Sequence, residues 1–549
     1  MNWTAARPSG RLAARPVARP VSGPRPALPP AVVWIPAGLV AAGMLLPLIY
    51  LLIRAAQAGP DLWSLLLRPR TFDLLLRSAG LTAAVTLTAI AIAVPLAWLT
   101  VRTDLLGRRV WAVLASLPLV IPTYVGGFAL IAALGPRGLL QQALAGPFGV
   151  DRLPAIYGFP GAWLALTLFT FPYVLLTVRA ALRGLDPALE EAARGLGHGG
   201  WSTFRRVTLP HLRPAITSGS LLVALYTLSD FGVVSLLQFE TFTQAIYTQY
   251  QGSLDRTLAA GFALLLVGLT ALVLWGEAGT RGRARYHRST VGAVRRQAPR
   301  PLGRWRVLAL AFAGLVIAVS LLLPAGVLIY WIARGVFFGA RLQPIWQATG
   351  NSLLASGLAA IGAVVAALPI AILVVRYGGR SAALIEKATY AGFALPGIVI
   401  ALALVFFATR VVTPLYQTLA LLVAAYVIRF LPQAIGGVRS SLLQVNPRLE
   451  EAARGLGRTP AKAIWDVTVP LIRPGVVAGA ALVFLTSMKE LPATLLLAPI
   501  GYRTLATSIW TSTAEGAFAE AAIASLILIL TSAVPLALLT VDRGGLGGD

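Results

Sequence analysis

Two acidic residues inside apolar stretches are the side chains of this sequence best suited to chemistry. Asp230 and Glu490 occupy matching positions 260 residues apart, each within a run that is otherwise almost free of charge. A charged side chain at such a depth is costly unless it faces a cavity or a partner. Carboxylate oxygens suit a hard cation, so both residues, with Lys489, are candidates for the lining of a passage. The alternative is structural, because Lys489 adjoins Glu490 and Arg429 could pair with either carboxylate.

Other residues that usually carry catalysis or bind metals are scarce. The chain has no cysteine, which excludes disulfides, iron–sulfur clusters and thiol nucleophiles, and its three histidines lie in predicted loops. Residues 195–200 satisfy G-x-G-x-x-G, but a helix rather than a strand precedes them. None of the three lysines follows a glycine, so a Walker A loop is excluded. We therefore expect no enzyme activity, no metal site and no cofactor.

The composition indicates a polytopic membrane protein. Of the 549 residues, 57% are apolar and 12% are charged, and the mean hydropathy is +0.78. No soluble domain is that apolar. The net charge of +26 would suggest a nucleic-acid partner in a soluble protein. Here we attribute it to arginines that crowd the loops on one side of the bilayer, and we expect no nucleic acid.

Twelve apolar runs are each long enough to cross ~30 Å of hydrocarbon as a helix. They form two sets of six and predict an all-α fold with twelve transmembrane helices. The runs are 31–53, 77–101, 110–134, 161–182, 215–238 and 258–275, then 307–333, 350–375, 388–410, 415–436, 475–498 and 520–541.

Basic segments divide the chain and predict its orientation. Residues 1–30 form a flexible arm, 31–277 a first repeat, 278–306 a linker and 307–549 a second repeat. Most of the 46 Lys and Arg residues lie in the arm, the linker and alternate loops. The positive-inside rule then places both termini and the linker in the cytoplasm of a bacterium, inside its inner membrane. The linker is predicted to be a solvated loop, or alternatively a site for lipid headgroups.

A polar segment of nearly 30 residues occurs once in each half, at 186–214 and 446–474. Both copies begin with a capping residue before proline, which predicts a helix start. A second short helix is expected over 200–207 and 460–467, after which Pro210 and Pro470 turn the chain back to the membrane. Both copies follow the fourth span of their half, so the two halves form a parallel repeat.

The repeated segment resembles the EAA loop of ABC importer permeases. The shared pattern is Glu-Ala-Ala, three residues, Gly, nine residues, then an aliphatic residue, one residue, an aliphatic residue and Pro, with Val469 standing where the family has Leu. In that family the loop forms the coupling helices, which sit in a groove of the ATPase subunit. The coupling residues so implied are Glu190, Glu191, Ala192, Ala193, Gly197 and Pro210, and Glu450, Glu451, Ala452, Ala453, Gly457 and Pro470.

The resemblance implies the rest of an importer. It implies the type I permease fold, in which the first helix of each half wraps the opposite half. It also implies two copies of a cytoplasmic ATPase subunit, an extracytoplasmic substrate-binding protein and transport by alternating access. Glu191 and Glu451 are expected to contact the ATPase.

Three further stretches bear on the substrate. Residues 229–232, 241–247 and 488–496 resemble the fused, twelve-span permeases of ferric-iron importers. Thiamine permeases are built similarly, so thiamine or another small solute remains the alternative cargo. A secondary transporter or channel that needs no ATPase is the alternative of another class, and it would leave the duplicated loop unexplained.

Overall fold

The computed structural model describes residues 30–57, 59, 64, 67–252, 257–280, 299–339, 343–392 and 395–544. The predicted arm, except for its last residue, lies outside the described residues, and so does the linker between 281 and 298. Throughout the described ranges the chain is helical with short connections, and the pairing of β type there is a single bridge between Thr103 and Arg300.

The helices of the two halves, numbered in chain order, cover most of the twelve apolar runs. Those of the first half are α1 (Ala31–Gln57), α2 (Pro69–Arg102), α3 (Arg108–Leu114), α4 (Thr123–Leu134), α5 (Leu139–Phe148), α6 (Phe159–Gly184), α7 (Pro187–Gly195), α8 (Gly200–Thr203), α9 (Leu209–Ser229), α10 (Gly232–Leu236), α11 (Phe242–Gly252) and α12 (Thr257–Thr280). Those of the second half are α13 (Arg306–Ile317), α14 (Leu323–Phe337), α15 (Gln343–Ile372), α16 (Gly379–Ala391), α17 (Gly397–Arg410), α18 (Leu419–Leu442), α19 (Pro447–Gly455), α20 (Pro460–Ala463), α21 (Val469–Leu471), α22 (Arg473–Met488), α23 (Pro492–Leu497), α24 (Leu505–Ala514) and α25 (Phe518–Gly544).

Fewer helices than predicted are long and apolar enough to cross a membrane unbroken. Among the described residues eight pass that test, and nine do if the pair Pro460–Leu471 and Arg473–Met488, bent by 70°, forms one span. The apolar runs 110–134, 215–238, 388–410 and 475–498 are interrupted, since each contains a break between two helices. An apolar run gives the length of chain that can lie in the membrane, but it does not predict that the helix is continuous. The twelve-span count therefore stays a prediction.

The same three-helix packing occurs in both halves. In the first half α2, α6 and α9 pack against one another, and in the second α15, α18 and α22 do so. The third helix of each set crosses closely because it carries a glycine at the contact. A Cβ on Gly219 would lie 2.7 Å from Val174 Cα, and one on Gly479 would lie 3.1 Å from Ala434 Cα. These residue pairs match at the offset of 260, so the crossing is repeated with the sequence.

The first helix of each half lies against the other half. Helix α1 packs on α15, α16 and α17 of the second half, as well as on α12. The first helices of the second half, α13 and α14, contact α2 and α4 of the first. The exchange that the resemblance implied is therefore present, and it ties the two halves into one body.

The tight contact between α18 and α22 gives a stability prediction with an internal control. A Cβ on Gly437 would lie 2.7 Å from Gly475 O, whereas one on the neighbouring Gly436 would have no atom within 4 Å. Gly437→Leu should therefore lower the free energy of unfolding by roughly 1–3 kcal/mol through overpacking. Gly436→Leu should be nearly neutral. Thermal unfolding of the purified protein in detergent measures both, and equal shifts for the two variants would refute the crossing.

Candidate functional site

The two repeated polar segments fold alike at their first helix. Asp186 Oδ1 accepts the Ala188 N–H at 3.0 Å, and Asn446 Oδ1 accepts the Arg448 N–H at 3.1 Å. Each therefore caps its helix, α7 or α19, and a proline follows at the first helical position.

Both of these helices end in the same turn. Gly197 and Gly457 each have a φ of +85°, a left-handed conformation that favours glycine. The N–H groups of Gly197 and His198 donate to Arg194 O and Ala193 O at 2.9 and 3.1 Å, and the second segment repeats both bonds. The glycines of the pattern are thus required by the backbone of the turn.

The second helix of each segment departs from the prediction. One turn of helix, α8 or α20, continues into a π-helical turn over Phe204–Thr208 or Ile464–Thr468. In the first half the chain then runs through Pro210 into α9 without a break, so Pro210 does not turn it back. In the second half the bend comes at Ile472, two residues after Pro470. Proline lacks an N–H, and a π turn just before it shifts the hydrogen-bond register so that none is needed there.

Glu190 and Glu450 face inward, although the resemblance placed them with the coupling residues. Glu190 is fully buried and accepts the Thr208 hydroxyl at 2.9 Å and the Arg300 guanidinium at 2.5 Å, with Arg102 at 3.7 Å. Glu450 is buried too. These side chains hold the loop to the chain around it rather than offering a surface to a partner.

In the second half the buried glutamate is held in the same way, and its close partner is the arginine of an earlier span. Glu450 Oε1 accepts the Thr468 hydroxyl at 2.7 Å and pairs with Arg376 Nε at 2.8 Å, while Arg376 also donates to Val445 O. Arg102 is the last residue of α2, and Arg376 lies within the π turn Leu373–Tyr377 that follows α15. Each glutamate therefore joins its loop to the end of an earlier span. Arg102 and Arg376 occupy matching positions 274 residues apart, and this repeat was the sequence signal for the contact.

Neighbouring arginines keep the carboxylate of Glu190 ionised. Burial alone would raise the pKa of Glu190, but the charge of Arg102, the Thr208 hydrogen bond and Arg300 together outweigh it and lower that pKa. The carboxylate therefore remains charged well below neutral pH, since an unperturbed glutamate titrates at about 4.3.

The outward face of each segment is apolar with acids at its side. Glu191, Ala192, Glu451 and Ala452 are exposed, whereas Ala193 is buried and Ala453, Pro210 and Pro470 are half-buried. Large apolar side chains stand out beside them. Leu196 and Leu456, at matching positions, are 80% and 86% exposed, with Leu189 and Leu449 two turns earlier. Each segment thus has an outer loop surface, which consists of Leu189, Leu196 and Trp201 in the first segment and of Leu449, Leu456 and Trp465 in the second.

The carboxylates within the apolar helices each stand at a helix break. Asp230 lies between α9 and α10, where its Oδ1 accepts the Val233 N–H at 2.9 Å. Glu490 lies between α22 and α23, where its Oε1 accepts the Ala493 N–H at 3.3 Å. Each carboxylate stands one residue before the N-cap of the short helix that follows, Phe231 or Leu491, and accepts an N–H group of that helix's first turn.

The second oxygen of each carboxylate has a different partner in each half. Asp230 Oδ2 accepts the Thr123 hydroxyl at 2.6 Å, and that hydroxyl lies 3.2 Å from Tyr226 Oη. Glu490 Oε2 instead pairs with Arg429 Nε at 3.2 Å. Of the two pairings open to Arg429 in the sequence, the structure therefore has the one with Glu490.

The residue that corresponds to Thr123 in the second half is Gly397, at the offset of 274. A Cβ on Gly397 would lie 1.9 Å from Arg429 Nη1 and 2.4 Å from Glu490 Oε1, so the glycine makes room for the ion pair. The exchange of a hydroxyl for a glycine is thus what lets one half use a charge where the other uses a hydrogen bond.

Lys489 contacts the opposite half rather than its neighbour Glu490. Its Nζ lies 3.4 Å from Leu119 O, in the 3-10 turn before α4. Tyr124, Gly232 and Leu491 meet near the same junction, where a Cβ on Gly232 would lie 2.7 Å from Tyr124 Cβ. In the described part of the chain no three His, Cys, Asp or Glu side chains are grouped to hold a metal ion.

Comparisons with known proteins agree on one family. A family model described as binding-protein-dependent transport system inner membrane component matches residues 89–277 and again 363–543. The chain is 35% identical over 505 residues to the Fe(3+)-transport system permease protein FbpB 2 of Haemophilus influenzae, covering 91% of this chain and 96% of that one. It is 26% identical to the ferric transport system permease protein FbpB of Actinobacillus pleuropneumoniae over 79% of this chain and 65% of the relative. It is 35% identical to the molybdenum transport system permease protein ModB of Escherichia coli, over 32% of this chain and 79% of the relative.

The adjacent residues Glu450 and Glu451 allow a test of whether the buried glutamate holds the second segment in place. Glu450→Ala leaves Arg376 and Thr468 buried without their acceptor, and removing one member of a buried pair costs roughly 3–5 kcal/mol. Glu451→Ala removes an exposed carboxylate and should change the free energy of unfolding by less than about 0.5 kcal/mol. Thermal unfolding of the purified variants in detergent compares them. Similar losses at both positions would show that Glu450 does not hold the loop.

Proposed function

The chain belongs to the binding-protein-dependent transport system inner membrane components, and from this premise we propose that it is the fused permease of a ferric-iron ABC importer. The observation that carries the choice of iron is the extent of the likeness. The ferric relative of Haemophilus influenzae matches along nearly the whole chain, whereas the molybdenum relative matches about a third of it. The chain moves its cargo across a membrane and is not itself an enzyme.

The two outer loop surfaces are proposed to be where a cytoplasmic ATPase docks. Each consists of a short, capped helix with exposed leucines, and each is held in place by a buried glutamate, which pairs with Arg300 in the first loop and with Arg376 in the second. Two such surfaces on one chain suit two copies of the ATPase subunit, one for each loop. Glu191 and Glu451, exposed beside the leucines, are proposed contacts, while Glu190 and Glu450 transmit the force inward.

The transport cycle is proposed to be alternating access. An extracytoplasmic binding protein delivers iron, the two ATPase subunits close on ATP, and the loops carry that closure to the spans. This proposal includes twelve spans in two parallel sets, with both termini and both loops in the cytoplasm of the bacterium. The basic loops support that orientation through the positive-inside rule.

The translocation pathway is proposed to pass the helix breaks at Asp230 and Glu490, with Lys489 beside it. The oxygen atoms of both carboxylates already accept hydrogen bonds or pair with a charge, through Thr123, Arg429 and backbone N–H groups. A site of this kind does not offer a cage of free carboxylates to a bare cation, so it does not trap iron. Weak binding suits a pathway, because cargo that enters must also leave.

The glycine turns give a prediction that separates coupling from assembly. Gly197→Val together with Gly457→Val places a β-branched residue at a φ of +85° in both loops. Each such residue costs roughly 1–2 kcal/mol in the left-handed region, so both turns should deform. We expect iron uptake by cells to be abolished, while the amount of protein inserted in the membrane is unchanged.

The control for this pair is Gly195→Ala with Gly455→Ala. Both glycines are helical, and a Cβ on either would meet no atom within 4 Å, so uptake should be retained. Normal uptake in the double valine variant would count against the coupling role of the loops.

Uptake of radiolabelled ferric iron, with and without the gene, tests the cargo, with labelled thiamine run in parallel. Loss of iron uptake alone is the expected result. Loss of thiamine uptake would keep the permease and change its substrate. Flux through the purified chain in liposomes without any ATPase would instead favour a secondary transporter or channel.

A further inference from the structure

The end of the linker, residues 299–306, is not a free loop. Arg300 N donates to Arg102 O at 2.9 Å, and Asp104 N donates to Arg300 O at 3.0 Å, which forms the one β-bridge of the described chain. Leu302 N and Arg306 both donate to the Asp104 carboxylate, at 2.8 and 2.6 Å. The hydrogen bond from Leu302, followed by Arg306, lowers the pKa of Asp104. The linker end is therefore bound along its length to the turn that follows α2.

The side chain of Arg300 reaches from that turn into the first loop. Its guanidinium pairs with Glu190 at 2.5 Å and lies over the Trp98 ring, 5.0 Å from the ring centroid. Trp98 meets Phe204 edge to face at 5.1 Å, and Phe204 stacks on Trp201 at 5.6 Å. A continuous series of contacts thus joins the linker to Trp201 on the outer loop surface.

Among the described residues of the second half this series has no counterpart. The positions of Trp98, Trp201 and Phe204 are taken there by Ile372, Ala461 and Ile464. Glu450 is paired directly with Arg376 at 2.8 Å, whereas Arg102, the match of Arg376, lies 3.7 Å from Glu190. In the first half the arginine of the linker therefore occupies the close position that the span arginine holds in the second.

The linker end leads straight into α13, which packs with α14 on helices of the first half. We propose that Arg300 is a positioning residue that fixes the first loop to the linker and to the second half, so that the two loops are held unequally. The role in coupling rests on the proposed function, but the unequal holding does not. Fusion of the halves then contributes a mechanical contact in addition to joining two units in one chain.

The absence of cysteine from the chain makes a direct test simple. A spin label is attached at Leu196→Cys or at Leu456→Cys, and its mobility is measured by electron paramagnetic resonance in the full chain in lipid. Arg300→Ala should make the label at position 196 clearly more mobile and leave that at 456 unchanged. Arg376→Ala should do the reverse, and Arg304→Ala, an exposed neighbour in the linker, should change neither.

Should Arg300→Ala fail to fold, Arg300→Met keeps an apolar stem against Trp98 and removes the charge, and the same rise at position 196 is expected. An unchanged label at 196, or equal loosening of both loops, would overturn the proposal. These measurements need neither iron nor an ATPase, so they stand apart from the proposed function.

The coupling role has its own readout in the complex with the ATPase in liposomes. Loss of positioning should raise the ATP hydrolysed per iron transported several-fold, because hydrolysis continues while the first loop responds poorly. A purely structural loss would lower hydrolysis and transport in proportion, and that outcome would limit Arg300 to stability.

Discussion

The structure depends on a buried carboxylate in each loop that is held by arginine. The close partner of Glu190 is Arg300 of the linker end, with Arg102 farther away, and that of Glu450 is Arg376 in the π turn after α15. Glu190 and Glu450 occupy the first turn of α7 and α19, yet they point into the protein and accept a threonine hydroxyl as well. A buried charge is stable only when its partners satisfy it, so each loop keeps one position relative to its helices. A surface segment of nearly 30 residues would otherwise be free to move independently of the spans.

Buried carboxylates at matching positions of the two halves are satisfied by different partners. At the helix breaks, Asp230 is satisfied by the hydroxyl of Thr123, whereas Glu490 is satisfied by Arg429 beside Gly397. At the loops, the second half pairs Glu450 with its own span, whereas the first half takes an arginine from the linker. A fused chain permits such divergence, because each half always meets the same partner and the two need not remain identical.

The sequence predicted the repeats, the helix caps, the glycine turns and the exchange of first helices, since each follows from local residue types or from the resemblance. It did not predict which glutamate of each pair faces inward. Neighbouring residues on a helix lie on different faces, and only the tertiary contact with Arg102 or Arg376 decides between them. Arg300 could not be distinguished from the other arginines of the linker, because a charge pattern does not specify a partner. The breaks at Asp230 and Glu490 were hidden by the apolar runs around them.

Because a buried glutamate holds each loop, we expect each loop to keep its distance from the end of the earlier span while the two loops move relative to each other. Distances between two spin labels in the ATPase complex test it, with and without ATP. The distance from Leu106→Cys, beside the end of α2, to Leu196→Cys should stay constant through the cycle. The distance from Leu196→Cys to Leu456→Cys should change. A change between positions 106 and 196 as large as that between the two loops would show that Glu190 does not hold the first loop to the end of α2.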